Sequence, residues 1–321
     1  MSTNAATSRV LIALAVVVAV LLPVALSDFH VFQATQILIY AIAILGLNLL
    51  IGYNSQISLG HGAFYAIGAY VVAILMAQYE VSYFFALPAA AAICFVAGFL
   101  FGLPALKLEG HYLALATFAL ALAVPQLLKY PAFEPWTGGV QGIFVLKPDP
   151  PFGLPLGADH WLYYFTLAIT LGVFLMAANL LDGRVGRALV AIRDQPVAAE
   201  TMGINIAMYK AITFGVSALY TGLAGGLSAI VIQFVAPDSF TMFLSIFLLV
   251  GVVIGGVASI PGAFLDAAFI VIIPNVAADI SKAATGAVYG LLLIVFVYLL
   301  PRGAWGGITV GCKWLTRRAS L

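Results

Sequence analysis

The sequence predicts an all-α, polytopic membrane protein: a transmembrane helix bundle with about ten spans. Two observations carry the prediction. Only 8% of the 321 residues are charged and the mean hydropathy is +1.14, whereas soluble domains carry roughly 25% charged residues. Apolar runs of about 20 residues, the length that crosses a bilayer, recur along nearly the whole chain. We therefore expect one transmembrane domain, 1–321, and no separate water-soluble domain.

Ten segments meet the length requirement for a span, and 262–280 is the weakest because it contains Asp266, Pro274 and Asp279. The first segment has an alternative interpretation as a cleaved signal peptide, since Arg9 precedes its apolar core. Its apolar run is longer than a signal peptide needs, which favours a retained helix. In order, the segments are 10–26, 31–51, 57–77, 83–103, 111–129, 162–181, 211–234, 239–257, 262–280 and 284–301.

The placement of basic residues predicts that both termini are cytoplasmic, and we expect a multi-pass protein of the cell inner (plasma) membrane. If all ten segments cross, ten basic residues share one side and three share the other, and Lys and Arg favour the cytoplasmic side. Omitting 262–280 would place the basic C-terminal tail outside, which favours keeping that span. The cytoplasmic set is Arg9, Lys107, Arg184, Arg187, Arg193, Lys210, Arg302, Lys313, Arg317 and Arg318, and the external set is Lys129, Lys147 and Lys282.

Two long connections separate the spans. Residues 130–160 are rich in Pro and Gly, fall outside, and predict an irregular lid or short structured loop. Residues 182–210 fall inside and hold seven of the chain's 25 charges. There, Pro196 at a first helical turn and Gly203 at a helix end predict two short helices broken around Gln195–Pro196. Such a loop suits either anionic lipid head groups or a docked protein, and the pattern alone leaves both open.

The inner loop resembles the cytoplasmic loop of ABC importer permeases, most closely the branched-chain amino acid permeases of the LivM type. RALVAIRDQPVAAETMGIN is followed by YKAITFGVSALYTGLAGGL, as in that family, and Ala198 to Gly203 is the most specific part. Further matching blocks cover nearly the entire chain in the family's order. They are LGLNLLIGYNSQISLGHGAFYAIGAY, LEGHYLALATFAL, WTGGVQGI and VVIGGVASIPGAF.

The resemblance implies the membrane-spanning permease subunit of an ATP-driven importer of branched-chain or related amino acids, and not an enzyme. It implies four kinds of partner: a second homologous permease, two cytoplasmic ATPase subunits, a periplasmic or extracellular substrate-binding protein, and the lipid bilayer. We expect no nucleic acid. ATP and magnesium would bind the ATPase, since this chain has no GxxxxGK[ST] loop. Contact with the ATPase is assigned to Arg187, Arg193, Asp194, Ala199, Glu200 and Gly203.

The stretch GYNSQISLGHGAFYAIGAY, 52–70, gathers polar residues and glycines in a very apolar chain. A metal site is disfavoured because the four histidines are far apart, and a dinucleotide fingerprint fails because Tyr65 stands where its third glycine belongs. Ser58 and His61 lack a nearby orienting carboxylate, which disfavours an enzyme. Helix packing and lining of the translocation pathway remain open. The set is Asn48, Asn54, Gln56, Ser58, Gly60, His61 and Gly68.

A second set lies in the outer loop and comprises Glu134, Thr137, Gly138, Gly139 and Gly142. These are either ordinary turn residues or, as the resemblance implies, part of the surface on which the binding protein docks. Asp149 and Asp159 are further candidates for docking charges.

Two acidic residues fall within the weakest span. Asp266 and Asp279 lie near its ends, so we expect both to snorkel to the interface. Asp266 also stands where the family usually has a small residue.

The alternative function is an ion- or proton-coupled secondary transporter of small polar solutes, which needs coupling groups near the bilayer midplane. The sequence leaves the substrate open between amino acids, urea and small organic acids.

Overall fold

The computed structural model describes residues 15–24, 26–105, 108, 110–153, 155–280, 282, 284–299 and 303–307. Within them, seven helices are long and apolar enough to cross a membrane, and three shorter apolar helices stand at the remaining predicted positions. The predicted all-α membrane bundle is confirmed. The ten apolar helices are α1 (Ala15–Val24), α2 (Asp28–Asn54), α3 (His61–Ala77), α4 (Tyr83–Ala105), α5 (His111–Leu128), α7 (Ala158–Asp182), α10 (Ile206–Ile232), α11 (Met242–Gly255), α12 (Gly262–Ile280) and α13 (Thr285–Leu299).

Helix α10 is the centre of the bundle and packs against α2, α3 and α4. Small residues let these backbones approach closely, as is usual where lipid removes the hydrophobic drive between helices. A Cβ on Gly68 of α3 would stand 2.0 Å from the Gly222 carbonyl oxygen of α10, and one on Gly225 would stand 2.0 Å from that of Tyr65. The α3–α10 contact is therefore made by backbone against backbone.

The helices around this centre leave apolar side chains exposed. Leu100 on α4, Leu115 on α5 and Leu175 on α7 are all exposed in the isolated chain. Such surfaces suit lipid or the apolar face of another membrane protein, because apolar side chains need no hydrogen-bond partner. The outer helices therefore supply the surface on which membrane or partner contacts form.

One end of the bundle carries two short helices, α8 (Arg184–Asp194) and α9 (Pro196–Thr201), separated at Gln195 as predicted. Gly186 makes the turn from α7 possible, because a Cβ there would stand 1.9 Å from the Leu181 carbonyl oxygen. Leu189 and Ile192 are buried on the inner face of α8. The predicted loop is thus an ordered pair of helices fixed to the bundle.

The opposite end carries the connection between α5 and α7. It contains the short helix α6 (Glu134–Thr137) and the strand β1 (Ile143–Phe144), which pairs antiparallel with β2 (Phe234–Val235) after α10. Lys129 and Asp238 form an ion pair at 2.5 Å. Because β2 follows the end of α10 remote from α9, the two connections lie at opposite ends of the bundle.

The predicted sidedness depends partly on residues outside the described ones. These are Arg9, Lys107, Arg302, Lys313, Arg317 and Arg318, together with 10–14 and 25 of the first predicted span.

Candidate functional site

The stretch 52–70 is broken. Helix α2 ends at Asn54, α3 begins at His61, and residues 55–60 between them are not helical. Ser55 takes the left-handed conformation, with φ 52° and ψ 28°, and the Gln56 N–H donates to the Leu50 carbonyl at 3.2 Å. The N–H of Ser55 itself donates to the Ile51 carbonyl at 3.2 Å. This five-to-one bond at a left-handed residue is the αL type of helix end, here built on serine instead of the usual glycine.

The non-helical segment between α2 and α3 turns back into the bundle. His61, the first residue of α3, is linked through Ser217 to the carbonyl of Gly46, and not to the end of α2. Gly46 lies eight residues before Asn54, which corresponds to about 12 Å along a helix. Residues 55–60 therefore run back alongside α2, and α3 starts well inside the bundle.

A chain of hydrogen bonds fixes the start of α3. The Ser217 hydroxyl donates its proton to the Gly46 carbonyl at 2.6 Å, so it accepts from His61 Nε2, also at 2.6 Å. His61 Nδ1 then accepts from the Ser58 hydroxyl at 2.9 Å. Both ring nitrogens of the neutral imidazole are satisfied, and the ring is fully buried. This geometry uses His61 as a bridge between three segments.

Two further hydroxyl groups hold the break on its other sides. Thr117 of α5 accepts from the Leu59 N–H at 2.9 Å, and Ser245 of α11 accepts from the Gly62 N–H at 2.9 Å. Together with Ser217, these residues were missed by the sequence analysis. The available signal was a lone Ser or Thr in an apolar helix, which often bonds across helices.

Asn48 fastens α2 to the turn between α11 and α12. Its amide donates to the Ser259 carbonyl at 2.9 Å and accepts from the Ala258 N–H at 2.8 Å. The Tyr53 hydroxyl donates to the Ala258 carbonyl at 2.7 Å. Gly52 allows this approach, since a Cβ there would stand 2.5 Å from the Ala258 nitrogen. The end of α2 and this turn therefore form one unit.

All seven residues of the predicted pathway or packing set are buried in the chain. Asn54 donates to Gln56 at 2.9 Å, and Gly60 packs on Thr117, whose carbonyl oxygen would lie 2.7 Å from an added Cβ. With Gly68 against α10, the set is brought together around the break. Among the described residues, no cluster of three His, Cys, Asp or Glu side chains could hold a metal ion.

The six residues assigned to the ATPase contact do not face one way. Arg193 turns inward from α8, donates from Nη1 to the Gly52 carbonyl at 3.0 Å and pairs with Asp194 at 2.8 Å. Ala199 is buried on the inner side of α9. Arg187, Glu200 and Gly203 are exposed, and Gly203 has φ +83° at the helix end.

Large apolar side chains on α9 and just after it were missed by the sequence analysis. Val197 is 75% exposed and Met202 is 83% exposed, in a connection otherwise rich in charge. Exposed apolar groups surrounded by polar ones are typical of protein-binding surfaces.

The residues predicted for binding-protein docking stabilise the fold of the outer loop between α5 and α7. The Thr137 hydroxyl is buried and donates to the Leu128 carbonyl at 2.8 Å. Gly138, Gly139 and Gly142 all have positive φ, and a Cβ on Gly142 would meet the Val235 carbonyl oxygen at 2.4 Å. The Glu134 side chain lies against Gly139. Asp159 forms an ion pair with Lys147. Three large apolar side chains of the same loop are exposed: Val140, Phe144 and Leu146.

Asp266 does not snorkel, and that prediction was wrong. Its side chain is fully buried, and its carboxylate oxygen Oδ2 lies 2.4 Å from where a Cβ on Gly255 would stand. Neither carboxylate oxygen has a hydrogen-bond partner among the described residues. Gly255 and Gly262 draw α11 and α12 together, which encloses the side chain one turn into α12. Asp279, at the other end of α12, is exposed.

Comparisons with known proteins agree with this architecture. The chain matches a protein family described as "Branched-chain amino acid transport system / permease component" over residues 30–297. It is 33% identical over 310 residues to the "High-affinity branched-chain amino acid transport system permease protein LivM" of Salmonella typhimurium, covering 89% of this chain and 72% of that protein. The Escherichia coli protein of the same description gives the same identity and coverage.

A more distant relative is the "Probable branched-chain amino acid transport permease protein LivH" of Methanocaldococcus jannaschii, at 26% identity over 86% of this chain and 90% of that protein. No solved structure matches the chain significantly. The family matches most of the chain, and the two LivM proteins are 33% identical to it. The chain belongs to the family of branched-chain amino acid transport system permease components.

Proposed function

We propose that this chain is the membrane-spanning permease subunit of an ATP-driven importer that carries branched-chain or related aliphatic amino acids. The observation that carries the proposal is the α8–α9 pair: two ordered helices with a partly apolar exposed surface, bonded through Arg193 to the Gly52 carbonyl near the end of α2. Family membership supports the same function and the substrate class.

A cytoplasmic ATPase docks on the outer surface of α9. Val197 and Met202 supply apolar contact, and Arg187 and Glu200 supply charge around it. Buried Ala199 lets α9 lie close to the bundle. ATP and magnesium bind to that partner, of which two copies serve the complex.

The remaining partners follow from this orientation. With α8 and α9 in the cytoplasm, both termini are cytoplasmic, the membrane is the cell inner membrane, and the β1–β2 end faces outward. The substrate-binding protein docks there, where Val140, Phe144 and Leu146 are exposed. A second, homologous permease covers part of the apolar surface of the outer helices, and lipid covers the rest.

ATPase closure moves α9 and α8 as a rigid body. Arg193 passes that movement to the Gly52 carbonyl, at the end of α2 just before the break. Asn48 and Tyr53 tie the same end of α2 to the turn between α11 and α12. A displacement at the cytoplasmic surface therefore reaches two elements of the bundle together.

Uptake by the reconstituted complex tests the function. The complex in proteoliposomes should accumulate L-leucine with ATP, and should stop doing so with a hydrolysis-deficient ATPase. The Met202→Asp variant should release the ATPase on purification, because a charge would be buried in an apolar contact. Asp149→Asn, at the opposite end of the bundle, is the exposed control and should retain it.

Accumulation driven by a proton or sodium gradient would instead support a coupled secondary transporter. The observation that favours this second candidate is buried Asp266, an ionisable group in a membrane helix. An Asp266→Asn variant keeps the shape and removes the ionisable proton. ATP-driven uptake unchanged by this substitution supports the importer, and loss of gradient-driven uptake supports the alternative.

A further inference from the structure

Residues 55–60 form a non-helical segment with two unlike faces. Gln56, Ser58 and Gly60 are buried, whereas Ser55 and Ile57 are exposed and Leu59 is partly exposed. Burial therefore alternates with a period of two, as it does along an extended chain. We call Ser55, Ile57 and Leu59 the outward face of the segment.

The backbone of this segment is incompletely hydrogen-bonded. The N–H groups of residues 55 and 56 return to α2, and those of 59 and 60 bond to Thr117 and Ser58 hydroxyls. Within the described part of the chain, the N–H groups of residues 57 and 58 and the carbonyl oxygens of 55–59 have no partner. In hydrocarbon, each such group costs several kcal/mol.

The incompletely bonded segment lies deep within the bundle. The segment runs back along α2 to the level of Gly46, about 12 Å from the helix end. Non-helical backbone at membrane depth is tolerated only where protein buries it or water reaches it. Protein buries the inward face, so the outward face needs polar contact from elsewhere. Lipid provides none.

We propose that the outward face is part of the wall of the water-filled translocation pathway and contacts the amino acid in transit. This inference rests on the proposed function. Water satisfies the free backbone groups between transport events, and a passing zwitterion replaces it: N–H groups suit the carboxylate, and carbonyl oxygens suit the ammonium group. Unwound backbone serves zwitterionic and ionic substrates in this way in other transporter folds.

The surroundings suit an aliphatic side chain. Leu59 lines a shallow depression together with His111, Ala114, Leu115 and Phe118 of α5, and Ile57 is exposed two residues before Leu59 on the same segment. The lining is mainly apolar, with the imidazole of His111 as its polar group, and none of the described residues that line it carries a carboxylate or ammonium group. Contact there is therefore weak and brief, as conduction requires, because a site that binds too tightly does not release its cargo.

Cysteine labelling tests the proposal in the complete transporter in its membrane. Single cysteines replace residues 55 to 59 in turn, in a background carrying Cys312→Ser. Buried Cys94 is retained, and the background itself is the control. The probe is a charged, membrane-impermeant methanethiosulfonate, which reacts only with thiols that water reaches. We expect the probe to label Ser55→Cys, Ile57→Cys and Leu59→Cys. We expect it not to label Gln56→Cys or Ser58→Cys, whose positions are buried.

Excess L-leucine with the binding protein present should slow labelling at position 57 during turnover. Labelling only by a neutral, lipid-soluble maleimide would overturn the proposal, because the face would then meet lipid. Labelling only after the second permease is removed would also overturn it, because the face would then be a subunit interface. Alternating labelling without slowing by L-leucine would refute contact with this substrate class.

These outcomes are distinguishable from failure of the proposed function. The alternation reports which side of the segment water reaches, and it does not depend on the energy source. If uptake proved to be gradient-driven, alternating labelling would still identify the pathway wall. If uptake proved ATP-driven without alternation, only the assignment of the wall would fail.

Discussion

Adding one methyl group at Gly68 should separate the two central helices. The Cβ of a Gly68→Ala variant would lie 2.0 Å from the carbonyl oxygen of Gly222, 2.5 Å from its carbonyl carbon and 2.6 Å from its Cα. All three are backbone atoms of α10, so no side chain can rotate away. Restoring an ordinary contact of 3.4 Å requires α3 and α10 to separate by roughly 1.4 Å.

The cost follows from two opposing effects. Overpacking of this kind typically destabilises by about 1–3 kcal/mol, and occasionally more. The separation also opens the second backbone contact, between Gly225 and Tyr65, which loses dispersion energy there. Against this, replacing glycine by alanine in a helix stabilises by roughly 0.5–1 kcal/mol. We expect a net destabilisation of about 2 kcal/mol.

Gly172→Ala is the matched control. Gly172 lies in the interior of α7, and apart from its chain neighbours and the backbone of its own helix, no described atom lies within 4 Å of the position of an added Cβ. Only the favourable helix effect applies there. Thermal unfolding of the two purified variants in detergent should give a Tm for Gly68→Ala about 5 °C or more below that of Gly172→Ala. Equal Tm values would refute the direct α3–α10 backbone contact.

Two further predictions concern the hydrogen bonds of the site. Ser217→Ala leaves the buried Nε2–H of His61 without its acceptor and should lower stability by about 1–3 kcal/mol. Thr170→Val, which removes a hydroxyl bonded only within its own helix, should cost clearly less in the same thermal assay, and an equal loss would contradict the proposed bridge. Arg193→Met keeps the apolar stem and removes the bond to the Gly52 carbonyl. It should retain the ATPase and lower the amount of L-leucine taken up per ATP hydrolysed. Arg184→Met, at an exposed position of the same helix outside the assigned ATPase contact, is the control and should match the parent. An unchanged ratio in both variants would exclude Arg193 from transmission.

The positions of the helices were predictable because the signals are local. A bilayer demands a continuous apolar run of fixed length, and each run is complete within its own segment. The break at Gln195 between α8 and α9 was equally predictable from the sequence, because proline is favoured in the first turn of a helix and Pro196 begins α9. Even the weakest segment, 262–280, forms the helix that the basic-residue count favoured.

The role of the polar stretch 52–70 was not predictable, because its partners are distant in sequence. Ser58 and His61 suggested several chemistries, and the structure places His61 in a bridge to Ser217, 156 residues away. Asn48 meets its partner at a separation of 211 residues. A pattern confined to one segment carries no information about which hydroxyl or carbonyl will face it.

The sequence by itself determined that this chain forms a bundle of membrane-spanning helices, and that the charged connection 182–210 is ordered. Both follow from hydropathy and helix-breaking residues, whose effects extend over only a few helical turns. Only the tertiary structure decided that Asp266 is enclosed and that Arg193 points inward to Gly52. It alone also decided that the chain between α2 and α3 turns back into the bundle. Those outcomes depend on how closely particular helices and turns approach one another, and glycines at these contacts allow the close approach.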